Sequence, residues 1–443
     1  MPVTKQILFI SYDGMTDPLG QSQVIPYLAG LTKYGYEFTI LSCDKPHLYR
    51  KNKEYVNEQI KPFPIRWVSI PYHKNPAVLS SIFDLYNLKK YAAQLHKKIH
   101  FDLVHTRPGI PTLVALWMKK KFGIKFLNDV RGFWADERVD GGMWKLKNPV
   151  YRKVYNFFKS HEHECLEAAD YNTCLTHRAK HEIHSWKNIS RQPIPIEVIP
   201  CSVDLELFSP LQINLKIKDQ FAKELNIKES DVIITYLGSI GGWYLTAEMM
   251  RCCKIISDKI PHARFLFISP HRHEIILNTA KRFSIPAERI IVKHAKRHEI
   301  PTLLSFSSYA LFFIKSCYSK ISSSPTKHGE IMAMGIPLIT NKGVGDVADI
   351  VKKYNAGIVL SNLNDASYNH AADLIKYKNF DRDEIRKGAI EFYNLESAIE
   401  KYLKVYGIIL GSPQSTVDSL QPDIQNLSKS MYATNRGPWT VDR

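Results

Sequence analysis

Short apolar runs of strand length alternate with longer amphipathic segments along most of this chain, and the alternation starts twice. The first series is Ile7–Ser11, Phe38–Ser42, Ile65–Ile70, Leu103–His105, Phe126–Asp129 and Tyr171–Leu175. Helical periodicity lies between its members, as in Ser80–His96 and Pro111–Lys121. The second series opens at Val232–Leu237, just before Gly238. It continues through Ala263–Ile268, Ile290–Val292, Ala310–Ile314, Ile336–Ile339 and Gly357–Leu360. A parallel strand pair needs a crossover, and a helix supplies it, so this order predicts parallel sheets. The expectation is an α/β protein with two Rossmann-like domains, 1–205 and 206–410, and a hinge region near Pro200–Ser230. The length of 443 residues fits, being long for one hydrophobic core. From Gly411 onward Ser, Gln, Asn, Pro and Asp dominate, so 411–443 is read as a disordered tail.

Charge narrows the partners without choosing one. Lys and Arg number 60 against 43 Asp and Glu, a net charge of +17. Nucleic acid, an anionic membrane surface and an anionic substrate all fit that balance. The seven cysteines are scattered, with no Cys-x-x-Cys pair and no zinc-type spacing, which suggests reduced thiols and a cytoplasmic setting. His161, His163, His177, His181 and His184 read as solvated helix residues rather than metal ligands. No apolar stretch is long enough to span a bilayer.

The richest chemistry follows the run Ala310–Ile314. Ser322, Ser323, Ser324, Pro325, Thr326 and Lys327 lead into His328-Gly-Glu330 and end at Gly335. Ser324 suits an N-cap, Pro325 the first helical position and Gly335 the helix end, so a short helix is predicted over Pro325–Met334. A lysine beside the positive end of a helix dipole is locally unfavourable unless an anion sits there too. Free N–H groups, the three serines, Thr326 and Lys327 therefore describe a diphosphate cradle. Glu330, three residues on, shares the face of Lys327 and suits a ribose diol. A capped surface helix with a solvated lysine is the alternative. The position, where a strand's carboxyl end opens onto a helix, favours the ligand site.

This stretch resembles the nucleotide-binding segment of family-4-type glycosyltransferases of the GT-B fold, whose two domains face a cleft. Glu330, Ala333, Gly335 and Pro337 match the second half of that family's pattern. Its first glutamate corresponds to Ser322, a departure at a position that touches the transferred sugar or phosphates. The turn Gly238–Gly242, with Ser239, resembles the strand end that approaches the diphosphate; a simple strand-to-helix turn is the alternative. Trp243 and Tyr244 stand where the family often supplies Arg and Lys, so Lys327, and after it Lys320, inherit the charge compensation. Gly343–Val347 and His294–Lys296 resemble the loops near the donor and the nucleobase, with a surface turn explaining the glycines of the first equally well.

In the first domain, Gly20 lies in a loop that resembles the family's glycine-containing N-terminal loop; a plain turn is the alternative. His105 and Arg107 occupy a strand end that often reads His-x-His in similar enzymes. His105 is read first as a core histidine and Arg107 as turned to the cleft. Arg131-Gly-x-Trp-x-Asp136-Glu137 resembles a signature of bacterial polysaccharide-type glycosyltransferases. There Arg131 binds phosphate or acceptor, and Asp136 and Glu137 bind acceptor hydroxyls, unless the three form an internal network. The basic, aromatic segment Lys145–Lys159 and Lys119–Lys121 suit an anionic membrane surface; a helix with an aromatic core face and a solvated basic face is the equal alternative.

The resemblance implies sugar transfer from a nucleotide-sugar donor to a glycan or lipid-linked acceptor in cell-surface polysaccharide synthesis. Retention at the anomeric carbon, no cofactor and no metal are part of that implication, with Arg107, Lys327 and Glu330 as catalytic residues. Cytoplasmic placement, peripheral on the inner face of the plasma membrane, goes with it, and no nucleic-acid partner is expected. The rivals are a nucleotide-sugar epimerase of the same fold, a nucleic-acid-binding protein and an inactive scaffold.

Overall fold

The computed structural model describes residues 4–411. It contains two parallel sheets, each with helices in its crossovers. The first sheet is built from β1 (Lys5–Ser11), β2 (Tyr36–Asp44), β3 (Ile65–Pro71), β4 (Leu103–Thr106), β5 (Lys125–Val130), β6 (Tyr171–Cys174) and β7 (Ile196–Val198), in the order β3-β2-β1-β4-β5-β6-β7. The second holds β8 (Val232–Leu237), β9 (Ala263–Ile268), β10 (Ile290–Lys293), β11 (Tyr309–Phe312), β12 (Leu338–Asn341) and β13 (Gly357–Leu360), in the order β10-β9-β8-β11-β12-β13. Every strand pair in both sheets is parallel.

Both sheets reverse their strand order once, between β1 and β4 and between β8 and β11. The loops leaving those two strands diverge to opposite faces, which opens a crevice at the carboxyl edge of the sheet. Central strands such as β1 and β8 are buried on both faces, and their near-continuous apolar sequence is the cost of that burial. β7 has no counterpart among the expected runs: it is three residues long and Glu197 interrupts it.

The chain divides into two compact units at Pro200/Cys201 rather than at 205/206. Among the described residues, the first unit also takes residues 396–411. Most of the last helix, Leu395–Leu410, therefore belongs with the first sheet, not the second domain as its place in the sequence suggested. Packing explains the return: Ile399 fills the space left by Gly30, and Tyr402 and Tyr406 reach β4 and β5 with their hydroxyls. The expected tail beyond Gly411 lies outside the described residues. None of the seven cysteines is in a disulfide.

Candidate functional site

In the second unit the crevice lies between the loop after β8 and the segment after β11. Backbone hydrogen bonds from Leu245 to Phe313 and from Lys315 to Trp243 hold the two together. A 3-10 turn, Tyr318–Ser322, then leads into the helix Thr326–Ala333. Its inner face is fixed by His328, whose Nδ1 lies 2.8 Å from Tyr393 Oη. Lys327 is consequently turned inward and is 7% exposed. Its Nζ donates to Tyr236 Oη at 3.3 Å and lies 3.7 Å from the centroid of the Tyr244 ring. Phe312 closes the pocket at 5.9 Å. No carboxylate pairs with this ammonium among the described residues. Burial pushes its pKa down to about 7, against a weaker opposing pull from Glu330. Desolvating a lone cation is unfavourable, and an incoming anion removes the penalty.

Three further groups surround the same loop. Lys320 is buried, with Nζ 3.8 Å above the Trp243 ring. Arg272, from the loop after β9, donates to the Ile240 carbonyl at 3.3 Å. Glu330 is buried, and its Oε1 accepts from Arg297 Nη1 at 2.5 Å, while that guanidinium stacks on Phe208 at 4.6 Å. Gly238 has φ +119°, and a Cβ there would meet Lys327 Nζ at 2.6 Å. The strand end is thus bare backbone facing a cation, with a cationic rim around it.

The equivalent edge of the first unit is a closed ion network. Asp129, at the end of β5, accepts from Thr173 Oγ1 at 2.7 Å and Tyr402 Oη at 3.1 Å. Arg131 Nε lies 3.9 Å from the same carboxylate. Burial alone would raise the Asp129 pKa, but Arg131, His105 and Arg107 outweigh it and hold the carboxyl well below its ordinary range. His105 Nδ1 lies 2.8 Å from Tyr406 Oη, and its Nε2 is 3.7 Å from Asp129, beyond hydrogen-bond reach. Burial lowers the pKa of this imidazole, against the opposing pull of Asp129.

Residues 21–207 match the Glycosyltransferase Family 4 model. The chain is a glycosyltransferase of the GT-B fold, similar in its first unit to family 4. A galactosyltransferase from Escherichia coli, described as UDP-Gal:alpha-D-GlcNAc-diphosphoundecaprenol alpha-1,3-galactosyltransferase, is 20% identical over 396 residues, covering 87% of this chain and 95% of that one. A glycosyltransferase structure from Rickettsia africae superposes with a TM-score of 0.68 at 16% identity, over 93% of this chain and 100% of that chain. The Anabaena HepE structure in complex with UDP-glucose gives 0.65 at 10% identity, over 91% and 99%.

In this transferase, the expected cradle is partly rearranged. The helix starts one residue later than expected, with Pro325 as its N-cap. Ser324 cannot cap it, because its Oγ accepts the Cys201 N–H at 3.3 Å. Ser322 is fully buried and donates to the Ser319 carbonyl at 2.8 Å, which braces the 3-10 turn. Ser323 and Thr326 are half-buried beside the helix start, and Ser239 is exposed. Ser239 lends its carbonyl to Tyr236 Oη. Lys327, Glu330 and Gly238 are the residues that the fold brings together as expected.

On the first unit the departures are larger. Arg107 is 5% exposed and lies within the Asp129 cluster, not turned outward. Gly20 is a packing glycine: a Cβ there would meet the Gly14 carbonyl at 2.5 Å. Asp136 accepts from Tyr155 Oη at 2.8 Å and Lys159 Nζ at 2.9 Å. Glu137 is half-buried with its carboxylate 3.4 Å from the Cβ position of Gly132. Arg131 donates to Gln23 Oε1 at 3.3 Å. The aromatics near Lys145–Lys159 are largely spent internally: Trp144 and Phe158 pack on Trp134 at 5.6 and 4.7 Å. His161 is not solvated either, its Nε2 lying 3.1 Å from Cys165 Sγ.

Arg272 and Arg297 were not singled out in the sequence. Both follow strand ends, β9 and β10, and that placement was the available signal.

Proposed function

We propose that the transferase moves a hexose from a nucleoside-diphosphate sugar to a glycan or lipid-linked acceptor, in the synthesis of a cell-surface polysaccharide. The observation that carries this reading is the buried, acid-free ammonium of Lys327 against the bare turn at Gly238. A diphosphate fits it: two negative charges per donor, held by helix N–H groups, Lys327 and the neighbouring Lys320 and Arg272. Glu330, already oriented by Arg297, is placed to accept from the ribose hydroxyls.

In the reaction the bond from the anomeric carbon to the donor phosphate breaks as the acceptor oxygen bonds to the same carbon. The acceptor proton passes to a phosphate oxygen of the departing diphosphate. Retention follows if both events occur on one face of the sugar. Charge accumulates on the leaving diphosphate, and Lys327 stabilises it there more strongly than in the ground state. No metal or cofactor has a part in this scheme. In the first unit, Arg107 and Arg131 act by holding the acceptor-side loops through Asp129. We place the reaction in the cytoplasm, beside the membrane that carries the acceptor.

The test is thermal stabilisation by UDP, GDP, ADP, CMP and their sugar conjugates in the presence of EDTA. Saturable stabilisation by one nucleotide family, lost in Glu330→Ala, is the expected result. A folded protein that responds to none of them overturns the proposal.

A further inference from the structure

The buried nitrogen of Lys327 has the surroundings of a nucleophile as well as those of a cation. Its Nζ donates to Tyr236 Oη at 3.3 Å, while the Tyr236 proton is turned away, to the Ser239 carbonyl. Three rings border it: Tyr244 at 3.7 Å, Tyr236 at 4.5 Å and Phe312 at 5.9 Å. An ammonium carries three donors, and among the described residues this one has a single acceptor. Gly238 lacks the side chain that would cover the nitrogen, since a Cβ there would lie 2.6 Å from Nζ. The lysine therefore meets the turn after β8 across bare backbone.

A neutral amine replaces those three donors by two N–H bonds and a lone pair, and desolvation favours that form. Burial holds Lys327 near it, with the pKa pushed down to about 7. Exposed lysines keep their proton to much higher pH. At neutral pH and above, Lys327 is thus set apart from the surface lysines as an amine with a free electron pair.

Carbon dioxide is a small, neutral electrophile that adds to such amines reversibly, with no cofactor. The Nζ lone pair forms an N–C bond, one C–O π pair moves onto oxygen, and a proton leaves the nitrogen for solvent. The product is a carbamate, an anion at the end of the lysine side chain. Its surroundings suit that charge. Lys320 is buried with Nζ 3.8 Å above the Trp243 ring. Arg272 Nη1 reaches the same turn, 3.3 Å from the Ile240 carbonyl and 3.1 Å from the Cβ position of Gly241. Glu330 is the carboxylate that acts on Lys327, and Arg297 is paired with it.

We propose that Lys327 is a modification site for carbon dioxide: its side-chain nitrogen is reversibly converted to a carbamate, which takes the place of the nucleotide diphosphate among the same cations. The donor crevice then closes in proportion to dissolved carbon dioxide. That regulatory consequence rests on the reading of the crevice as the donor site; the modification itself does not.

The experiment is chemical trapping on the full chain, which needs no variant. The protein is equilibrated with bicarbonate at about pH 8, where Lys327 is largely neutral and exposed lysines are not. Triethyloxonium converts any carbamate to its ethyl ester, and peptide mapping by mass spectrometry locates it. The ester is expected on Lys327 in excess over exposed lysines such as Lys90 and Lys145. No ester on Lys327, or no more than on those two, overturns the proposal. A nucleotide titration at fixed pH and ionic strength supplies the second reading. Bicarbonate should weaken the nucleotide about twofold when half of the protein carries the carbamate. Lys327→Arg, whose guanidinium stays protonated, should lose that sensitivity. Equal weakening in Lys327→Arg would mean that bicarbonate competes as a simple anion, and overturns the proposal. An ester on Lys327 that no nucleotide suppresses would leave the modification standing and count against the donor-site reading. Nucleotide binding with no ester would do the reverse.

Discussion

The ammonium of Lys327 occupies the space that a side chain on residue 238 would need: a Cβ on Gly238 would lie 2.6 Å from Lys327 Nζ. The far end of a lysine is flexible, so Gly238→Ala displaces the cation more than it breaks the fold. The backbone at φ +119° adds strain of ~1–3 kcal/mol for any other residue. Expected are a melting temperature lowered by a few degrees and a roughly tenfold weaker nucleotide, by titration calorimetry. Nucleotide affinity equal to the parent's would show that the strand end and Lys327 do not share a ligand.

Lys327 makes binding depend on pH in a definite direction. In the free protein its pKa is pushed down to about 7, whereas the unfolded chain holds the proton to its ordinary, much higher value. Between those values the unfolded state binds more protons, so this group's stability contribution rises with pH from about 7 upward. Diphosphate binding restores the charge and so takes up a proton above pH 7. Affinity should therefore fall as pH rises from 7 to 9, and Lys327→Met should flatten that profile. Calorimetry in buffers of different ionisation heat reads the proton directly; uptake of none would exclude Lys327 from the site.

Glu330 and Arg297 should act as a coupled pair. Glu330→Ala is expected to weaken the nucleotide by about tenfold or more, since a buried charged acceptor is lost. Arg297→Ala frees Glu330 from its partner and should weaken it less. A double-mutant cycle on nucleotide affinity should give a coupling of ~0.5–3 kcal/mol. Additive effects would mean that the ion pair of the free protein does not orient the carboxylate for ligand.

Removing Asp129 should cost stability rather than donor affinity. Asp129→Ala leaves Arg131 without its buried counter-charge and the Tyr402 hydroxyl without its acceptor, at ~3–5 kcal/mol in urea unfolding. Because its pKa is held below the unfolded value, its contribution is complete above about pH 4 and fades as the pH falls further. A stable variant with normal acid unfolding would show that the network is not structural.

The sheets were legible because each buried strand needs an uninterrupted apolar run, as Val232–Leu237 and Ala263–Ile268 show. β7 escaped because three residues carry no periodicity. At the site, Lys327 and Glu330 were legible from local chemistry, since a lysine in the first turn of a helix demands an explanation. Ser322 and Ser324 misled because a hydroxyl in sequence does not reveal its partner, here the Ser319 carbonyl and the Cys201 N–H. Arg107 was placed by its strand end alone, and only the long-range meeting of β4, β5 and the last helix shows it buried. Arg272 and Arg297 stand far from the site along the chain and become its neighbours only through strand order.

That last helix also bears on the order in which the protein can form during synthesis. The unit Cys201–Leu395 is one unbroken stretch, complete before residue 396 leaves the ribosome. The unit begun first is finished last, because Tyr402 and Tyr406 supply hydroxyls to Asp129 and His105 across nearly the whole length of the chain. Until they arrive, a carboxylate and an imidazole at the heart of the earlier sheet wait without these partners. A nascent chain halted before Tyr402 would thus carry a finished second unit and an unfinished first one.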